Sequence, residues 1–201
     1  MTAEPASGAQ IGPGAFVAIV GASGVGKDAL MSYARERLAA RAQPAPDVHF
    51  PRRVITRPAG AGEEFDSSDE AAFTDASSSG GFAIWWRAHG LGYGIPASAD
   101  DRVRAGGVIV VNVSRAMLDD LAARYRRLVV VRVTVSDEVR AARLHARGRE
   151  EAHDIRQRLA RHDPAPDFPV DAEIRNDGTL AEAGEQLLRI ISDAAALALD
   201  A

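Results

Sequence analysis

Apolar and polar positions along the chain fall into short β-branched runs separated by stretches of helical period. Phe16-Val17-Ala18-Ile19-Val20 is continuously apolar, and Val108-Ile109-Val110-Val111 and Val129-Val130-Val131, extending to Val135, repeat that pattern. Val54-Ile55 is shorter, and Ala172 to Ile174 is a weaker candidate. Runs without alternation belong to strands covered on both faces. After the first run, Ala29, Leu30, Tyr33, Ala34 and Leu38 recur at helical spacing. Further helical stretches lie near 97–105, 114–126, 136–147, 152–162 and 179–198. Such alternation predicts βαβ units, and so an α/β fold with a central parallel sheet and right-handed crossovers. Ser114 and Ser136 suit helix starts, and Asp137-Glu138 adds negative charge to the first turn of the second.

Two stretches break the rhythm. Residues 57–97 hold Gly60-Ala61-Gly62-Glu63-Glu64, Ser67-Ser68-Asp69-Glu70 and Ser77 to Gly81, then an aromatic patch, Phe82-Ala83-Ile84-Trp85-Trp86. A polar, glycine-rich insert of this kind predicts a small binding subdomain. The second break, Ala146 to Glu151, falls between two helical patterns, and a lid over about 145–155 is expected there. Residues 1–14, rich in Ala, Gly, Pro and Ser, read as a frayed, flexible lead-in. A single domain over 15–198 accounts for the rest.

Composition narrows the function classes. The chain has no cysteine, which removes disulfides, thiolate zinc sites and thiol catalysis and suits a cytoplasmic setting. A formal net charge of −4 gives no drive towards nucleic acid or an anionic membrane surface. No apolar run approaches the roughly 20 residues of a membrane span. His49, His89, His145, His153 and His162 show no ligand spacing.

Lys27 is the chain's only lysine, and it ends Gly21-Ala22-Ser23-Gly24-Val25-Gly26-Lys27. The pattern is that of a P-loop, whose backbone N–H groups cradle phosphates while the ammonium reaches the outer one. It stands where a P-loop must, between a buried strand and a helix. The next residue is Asp28, where Ser or Thr is usual. A carboxylate beside a polyphosphate calls for a cation between them, so Asp28 is a candidate Mg²⁺ ligand, direct or through water. An acidic residue favoured by the helix dipole is the plainer reading.

Thr56-Arg57 follows the Val54-Ile55 run, and Gly62-Glu63-Glu64 and Gly90-Leu91-Gly92-Tyr93-Gly94 come later. An arginine at the carboxyl end of a parallel strand lies on the edge where ligands of open α/β sheets bind, and its planar fork suits phosphate. Tyr93 is placed to donate to the same phosphate. Trp85 and Trp86 are read as packing the insert against the sheet, with base stacking the alternative.

On these residues the chain resembles the guanylate-kinase-like group of nucleoside monophosphate kinase folds, and within it the ribose 1,5-bisphosphate phosphokinases of bacterial phosphonate utilisation. The second resemblance rests on Gly-Lys-Asp28, Tyr93-Gly94, Val-Val-Asn112-Val-Ser114-Arg115, Arg147-Gly148-Arg149-Glu150 and Asn176-Asp177-Gly178, and it runs from about Phe16 to Ile191. It implies a three-layer P-loop kinase fold with a central parallel sheet, an acceptor-binding insert and a short lid. ATP and Mg²⁺ are the implied cofactors, and a nucleotide and a sugar bisphosphate the implied partners; a homodimer stays open. The implied activity makes 5-phosphoribosyl 1-diphosphate and ADP. Within the resemblance Arg147 and Arg149 are lid arginines closing over the transferred group, Arg158 is a further phosphate contact, and Asn112, Ser114 and Arg115 face the sugar phosphate. Asn176 and Asp177 lie beside the adenine, although an ordinary turn explains them equally well.

Departures from the guanylate kinase pattern point the same way. Gly60 stands where that pattern has a second arginine, Ala71 where it has a tyrosine, and Asn112 where a carboxylate helps hold guanine. Unpaired guanine edges would cost discrimination. Guanylate kinase activity on GMP stays as the alternative, since Glu63, Glu64, Ser67 and Ser68 remain. A non-catalytic scaffold is the other, although it has no need of an intact glycine loop. Of the remaining arginines, Arg140, Arg156 and Arg161 read as dressing on a helix surface.

Overall fold

The computed structural model describes residues 9–41, 47–60, 65–146 and 167–199. Five of its strands form one parallel sheet: β1 (Ala15–Val20), β2 (Val48–His49), β7 (Val108–Asn112), β8 (Leu128–Thr134) and β9 (Ala172–Arg175), in the order β2-β7-β1-β8-β9. β1 is central and wholly buried. Its alternate residues serve two cores, as a strand covered on both faces requires. Val17 and Ile19 join α1 (Lys27–Ala39) and α6 (Leu180–Leu199) through Leu30, Ala34, Leu187 and Ile191. Phe16, Ala18 and Val20 face α3 (Ser98–Arg104) and α4 (Leu118–Arg124) through Ala99, Val103, Leu118 and Leu121. The result is the expected helix–sheet–helix layering.

The described residues of the insert carry more regular structure than its composition implies. With the strand that precedes it, they form a second sheet of four strands, β4 (Phe65–Ser67), β3 (Arg53–Ile55), β6 (Leu91–Pro96) and β5 (Phe82–Ala88), in that order. α2 (Glu70–Ser78) starts on Asp69, whose side chain accepts from the backbone N–H of Ala72 at 2.8 Å. Val54-Ile55 therefore does not extend the parallel sheet. β3 pairs with β6 in antiparallel fashion and with β4 in parallel. The sequence around Gly92 and Gly94 hides β6 because glycine has low strand preference. Both glycines are dictated by rings: a Cβ at Gly92 would come within 2.8 Å of Phe73, and one at Gly94 within 2.5 Å of Phe82. Ala83, Ile84, Trp86 and Ile95 carry the insert onto the same core as α3 and α4. Trp86, buried in that core and stacked on Tyr93 at 5.4 Å, packs the insert against the sheet as expected, whereas Trp85 meets Phe73 of α2 edge-on at 6.3 Å.

The lead-in is tied down from Gln10 onwards. Gln10 Nε2 donates to the carbonyl of Ala122 at 2.8 Å, and Ile11 bridges Tyr125. Residues 1–8 lie outside the described residues, as does most of the lid at 147–155. α5 (Asp137–Ala146) leads up to it, with the Ser136 hydroxyl accepting from Val139 N–H at 3.3 Å as a cap. Among the described residues no helix is long and apolar enough to cross a membrane.

Candidate active site

β1 ends at Val20 and the glycine loop begins at once. Gly21, Gly24 and Gly26 all have positive φ, at 147°, 90° and 91°, a conformation that is costly for other residues. At Gly26 space is closed as well, since a Cβ would lie 2.6 Å from Asn176 Nδ2. The Lys27 ammonium folds across the loop, donating to the carbonyls of Gly21 at 2.8 Å and Ala22 at 3.0 Å.

Side chains from α5 and the end of β9 hold the loop from outside. Asn176, 3% exposed, donates from Nδ2 to the carbonyl of Val25 at 2.9 Å. Arg143 donates to the carbonyl of Asn176 at 2.8 Å and, more weakly, to that of Val25 at 3.4 Å. Arg140 donates from Nε to the carbonyl of Ser23 at 3.1 Å. Arg140 is therefore not mere surface dressing; helical spacing aims it and Arg143 at the loop. With its carbonyls fixed from outside, the loop is held in the form of a phosphate cradle. Asp177 accepts from Ser136 N–H at 2.7 Å and from Arg175 Nε, and those bonds, Arg175 foremost, hold its carboxyl below the ordinary aspartate range. The observed work of Asn176 and Asp177 is thus to bind the β9 turn to the loop and to α5.

On the other side of Lys27 the two sheets meet. Asn112 pairs in register with Ile19, which puts its side chain at the carboxyl edge beside the loop. Its Nδ2 donates to Asp28 Oδ1 at 2.7 Å, and its Oδ1 accepts from Arg53 Nη1 at 3.2 Å. Arg53 Nη2 lies 4.0 Å from the same Asp28 oxygen. Burial pushes the Arg53 guanidinium below its ordinary value, the Arg57 charge adds to that, and the Asp28 and Tyr93 oxygens oppose it. Asp28 and Asn112 therefore converge on Arg53, whose charge also feels Tyr93 and Arg57, and Arg53 was not among the residues expected from the sequence. Its only signal there is a charged pair, Arg52-Arg53, opening an apolar strand.

Arg57 reaches this place from β3 of the second sheet, not from a strand of the parallel sheet. Its guanidinium covers the Phe65 ring at 4.4 Å and donates to the carbonyl of Pro58 at 3.2 Å. Thr56 serves the hairpin, its hydroxyl accepting from Gly92 N–H at 2.8 Å. Ser114 accepts from Ala116 N–H at 3.4 Å just past β7, and Arg115 opens the short turn of 3-10 helix that follows. Glu63, Glu64, Arg147, Arg149 and Arg158 lie outside the described residues. Among the described residues no cluster of three or more His, Asp or Glu is arranged to hold a metal by itself.

A P-loop on the carboxyl edge of a parallel sheet, faced by a small second sheet, defines a kinase fold of the guanylate kinase type. A crystal structure of guanylate kinase from Anaplasma phagocytophilum superposes with a TM-score of 0.60 at 18% identity, covering 90% of this chain and 85% of that one. An unliganded sugar kinase from Janibacter sp. HTCC2649 gives 0.51 at 15% identity, with 92% and 98% covered. At such identities the likeness is one of fold. No family model matches the sequence. The relatives go further: a ribose 1,5-bisphosphate phosphokinase PhnN from Pseudofrankia inefficax is 67% identical over 186 residues, 92% of this chain and 95% of that protein. Proteins of the same name from Chelativorans sp. and Rhizobium etli are 46% and 45% identical, over 91% and 95% of this chain and 87% and 96% of theirs. The chain belongs to the ribose 1,5-bisphosphate phosphokinase family.

Proposed function

We propose that this chain transfers the γ-phosphoryl group of ATP to the 1-phosphate of ribose 1,5-bisphosphate, giving 5-phospho-α-D-ribose 1-diphosphate and ADP, in phosphonate utilisation in the cytoplasm. The observation that carries this reading is near full-length likeness, at 67% identity, to a protein named for that acceptor. An oxygen of the acceptor phosphate bonds to the γ-phosphorus as the bond to the bridging oxygen breaks, and ADP leaves with that electron pair. The attacking oxygen is already anionic near neutral pH, so the chain needs no general base. Its work is positioning and neutralisation of charge.

Lys27 swings from the loop carbonyls to the outer phosphates while the loop amides hold the nucleotide. Asp28 suits magnesium: its carboxylate is a hard donor, 72% exposed, and this ion ordinarily takes one or two carboxylates plus substrate phosphates. Magnesium bound there neutralises charge on the nucleotide phosphates. Asn112 keeps that carboxylate aimed. Arg57 and Tyr93 hold the acceptor, with Glu63, Glu64, Ser114 and Arg115 around it. Arg147, Arg149 and Arg158 close over the moving group, and Asn176 and Asp177 border the adenine.

ADP release measured side by side with ribose 1,5-bisphosphate and GMP tests the reading. Turnover of the bisphosphate at least tenfold faster is expected, and preference for GMP overturns it. Asp28→Ala should raise the half-saturating Mg²⁺ concentration by roughly tenfold, about 1.4 kcal/mol. An unchanged magnesium titration removes Asp28 from the metal.

A further inference from the structure

Arg53 starts in the insert sheet, as the first residue of β3, yet its guanidinium ends against the parallel sheet and the glycine loop. Its side chain is only 19% exposed. A cation this buried needs a close anion or a full set of acceptors. Among the described residues its contacts are one neutral amide oxygen at 3.2 Å and one exposed carboxylate at 4.0 Å. An exposed carboxylate at that distance compensates little. The Arg57 charge acts on it as well, disfavouring its charged form after burial has done so. A buried guanidinium so thinly compensated, at the carboxyl edge beside the glycine loop, makes a receptor for an anion.

The anion partner in hand is also shared. Asp28 Oδ1 is shared by Asn112 Nδ2 and Arg53. Were that carboxylate drawn to a cation on the nucleotide, Arg53 would keep, among the described residues, the amide oxygen of Asn112. We propose that Arg53 then binds the reacting phosphate of the acceptor, so that Asp28 and this phosphate exchange places on one guanidinium. The assignment rests on the reading of a phosphate acceptor given above and adds a residue to it. Arg53 would be a catalytic residue in contact with the attacking group. Asn112 would be the positioning residue, fixing the fork from one side while steadying Asp28 from the other. The exchange also gives an order to the site, since the phosphate grip is fully freed only after the nucleotide and its cation have claimed Asp28.

A strut between the two sheets is the competing role, and the variants Arg53→Met and Arg53→Lys separate the two. For Arg53→Met we expect the acceptor KM to rise at least tenfold and kcat to fall, with the dissociation constant of Mg·ATP within twofold of wild type and the melting temperature held. Arg53→Lys keeps the charge without the fork and should recover part of the acceptor affinity. Equal acceptor KM in wild type and Arg53→Met overturns the proposal, as does a parallel loss of acceptor and nucleotide affinity. If Arg53→Met does not fold, Arg53→Lys decides alone: a raised acceptor KM at unchanged nucleotide affinity supports the assignment, and an unchanged KM sinks it. A wild-type enzyme that prefers GMP would end the bisphosphate reading and leave this comparison intact, run with GMP. If neither acceptor turns over, inorganic phosphate titrated onto enzyme saturated with Mg·ADP decides the matter. Binding lost in Arg53→Met supports the role, and equal binding refutes it.

Discussion

Lys27→Met is expected to lower kcat by roughly 10²–10³-fold, the usual loss when one preorganised donor to developing charge is removed. The ammonium bridges the carbonyls of Gly21 and Ala22, so it waits at the mouth of the loop it serves. Those carbonyls sit in a half-exposed loop that water can reach, and the loop itself is held from outside by Arg140, Arg143 and Asn176. The fold therefore does not depend on Lys27, and the melting temperature should stay within about 2 °C of wild type. Acceptor KM should change little, whereas nucleotide affinity falls. Arginine is no substitute: in Lys27→Arg a planar fork cannot occupy the compact place of an ammonium, so activity should stay low. ADP release for the three proteins, with melting curves beside them, checks this. Retention of more than a tenth of wild-type kcat in Lys27→Met would remove the residue from the chemistry.

How much of this was legible beforehand differs by residue. The P-loop was readable because backbone geometry dictates it: three glycines at positive φ and a lysine leave few alternatives. The parallel strands were readable because burial on both faces writes an uninterrupted apolar run, as in β1 and β7. The second sheet was not. β4 has three residues, β5 is apolar without alternation, and in β6 glycines stand where the rings of Phe73 and Phe82 lie overhead. Local sequence therefore reads as loop where pairing between distant segments makes strand. Arg53 escaped for a related reason. In a chain with one lysine, arginine is the default cation, and only the meeting of β3 with the end of β7 distinguishes this one. Arg140 read as dressing because which surface the side chains of Arg140 and Arg143 meet depends on where α5 packs.

The largest loss of stability is expected from Asp100→Ala, about 3–5 kcal/mol, the range found when one partner of a buried ion pair is removed. Asp100 is 4% exposed and ties α3 to the end of α4. Its carboxylate accepts from Tyr125 Oη at 2.7 Å, from Arg124 Nε at 3.2 Å and from Arg124 Nη2, with Arg104 Nη2 at 3.7 Å. Tyr125 in turn stacks on Phe16 of β1 at 4.5 Å, so the pair anchors a core ring as well as two helices. Removing the carboxylate leaves a buried hydroxyl and a half-buried guanidinium without their acceptor. For a domain of this size the penalty lowers the melting temperature by roughly 10 °C or more. Tyr125→Phe keeps the Asp100–Arg124 pair and should cost only about 1–2 kcal/mol, a single hydrogen bond. Wild type and Tyr125→Phe also differ with pH. Burial, and after it the Asp100 charge, raises the Tyr125 hydroxyl above its ordinary value of 10.0, so the neutral form is favoured in the fold. That contribution is complete below pH 10 and is lost as pH rises beyond it, because the unfolded chain ionises first. Urea unfolding at pH 8 and again above pH 10 should thus show a steeper alkaline decline for wild type than for Tyr125→Phe. The cluster packs on Phe16 near the start of β1, whereas the glycine loop follows the end of that strand, so folded Asp100→Ala enzyme should keep its kcat at 25 °C. A melting temperature unchanged in Asp100→Ala would mean that the carboxylate is not the strut its contacts describe.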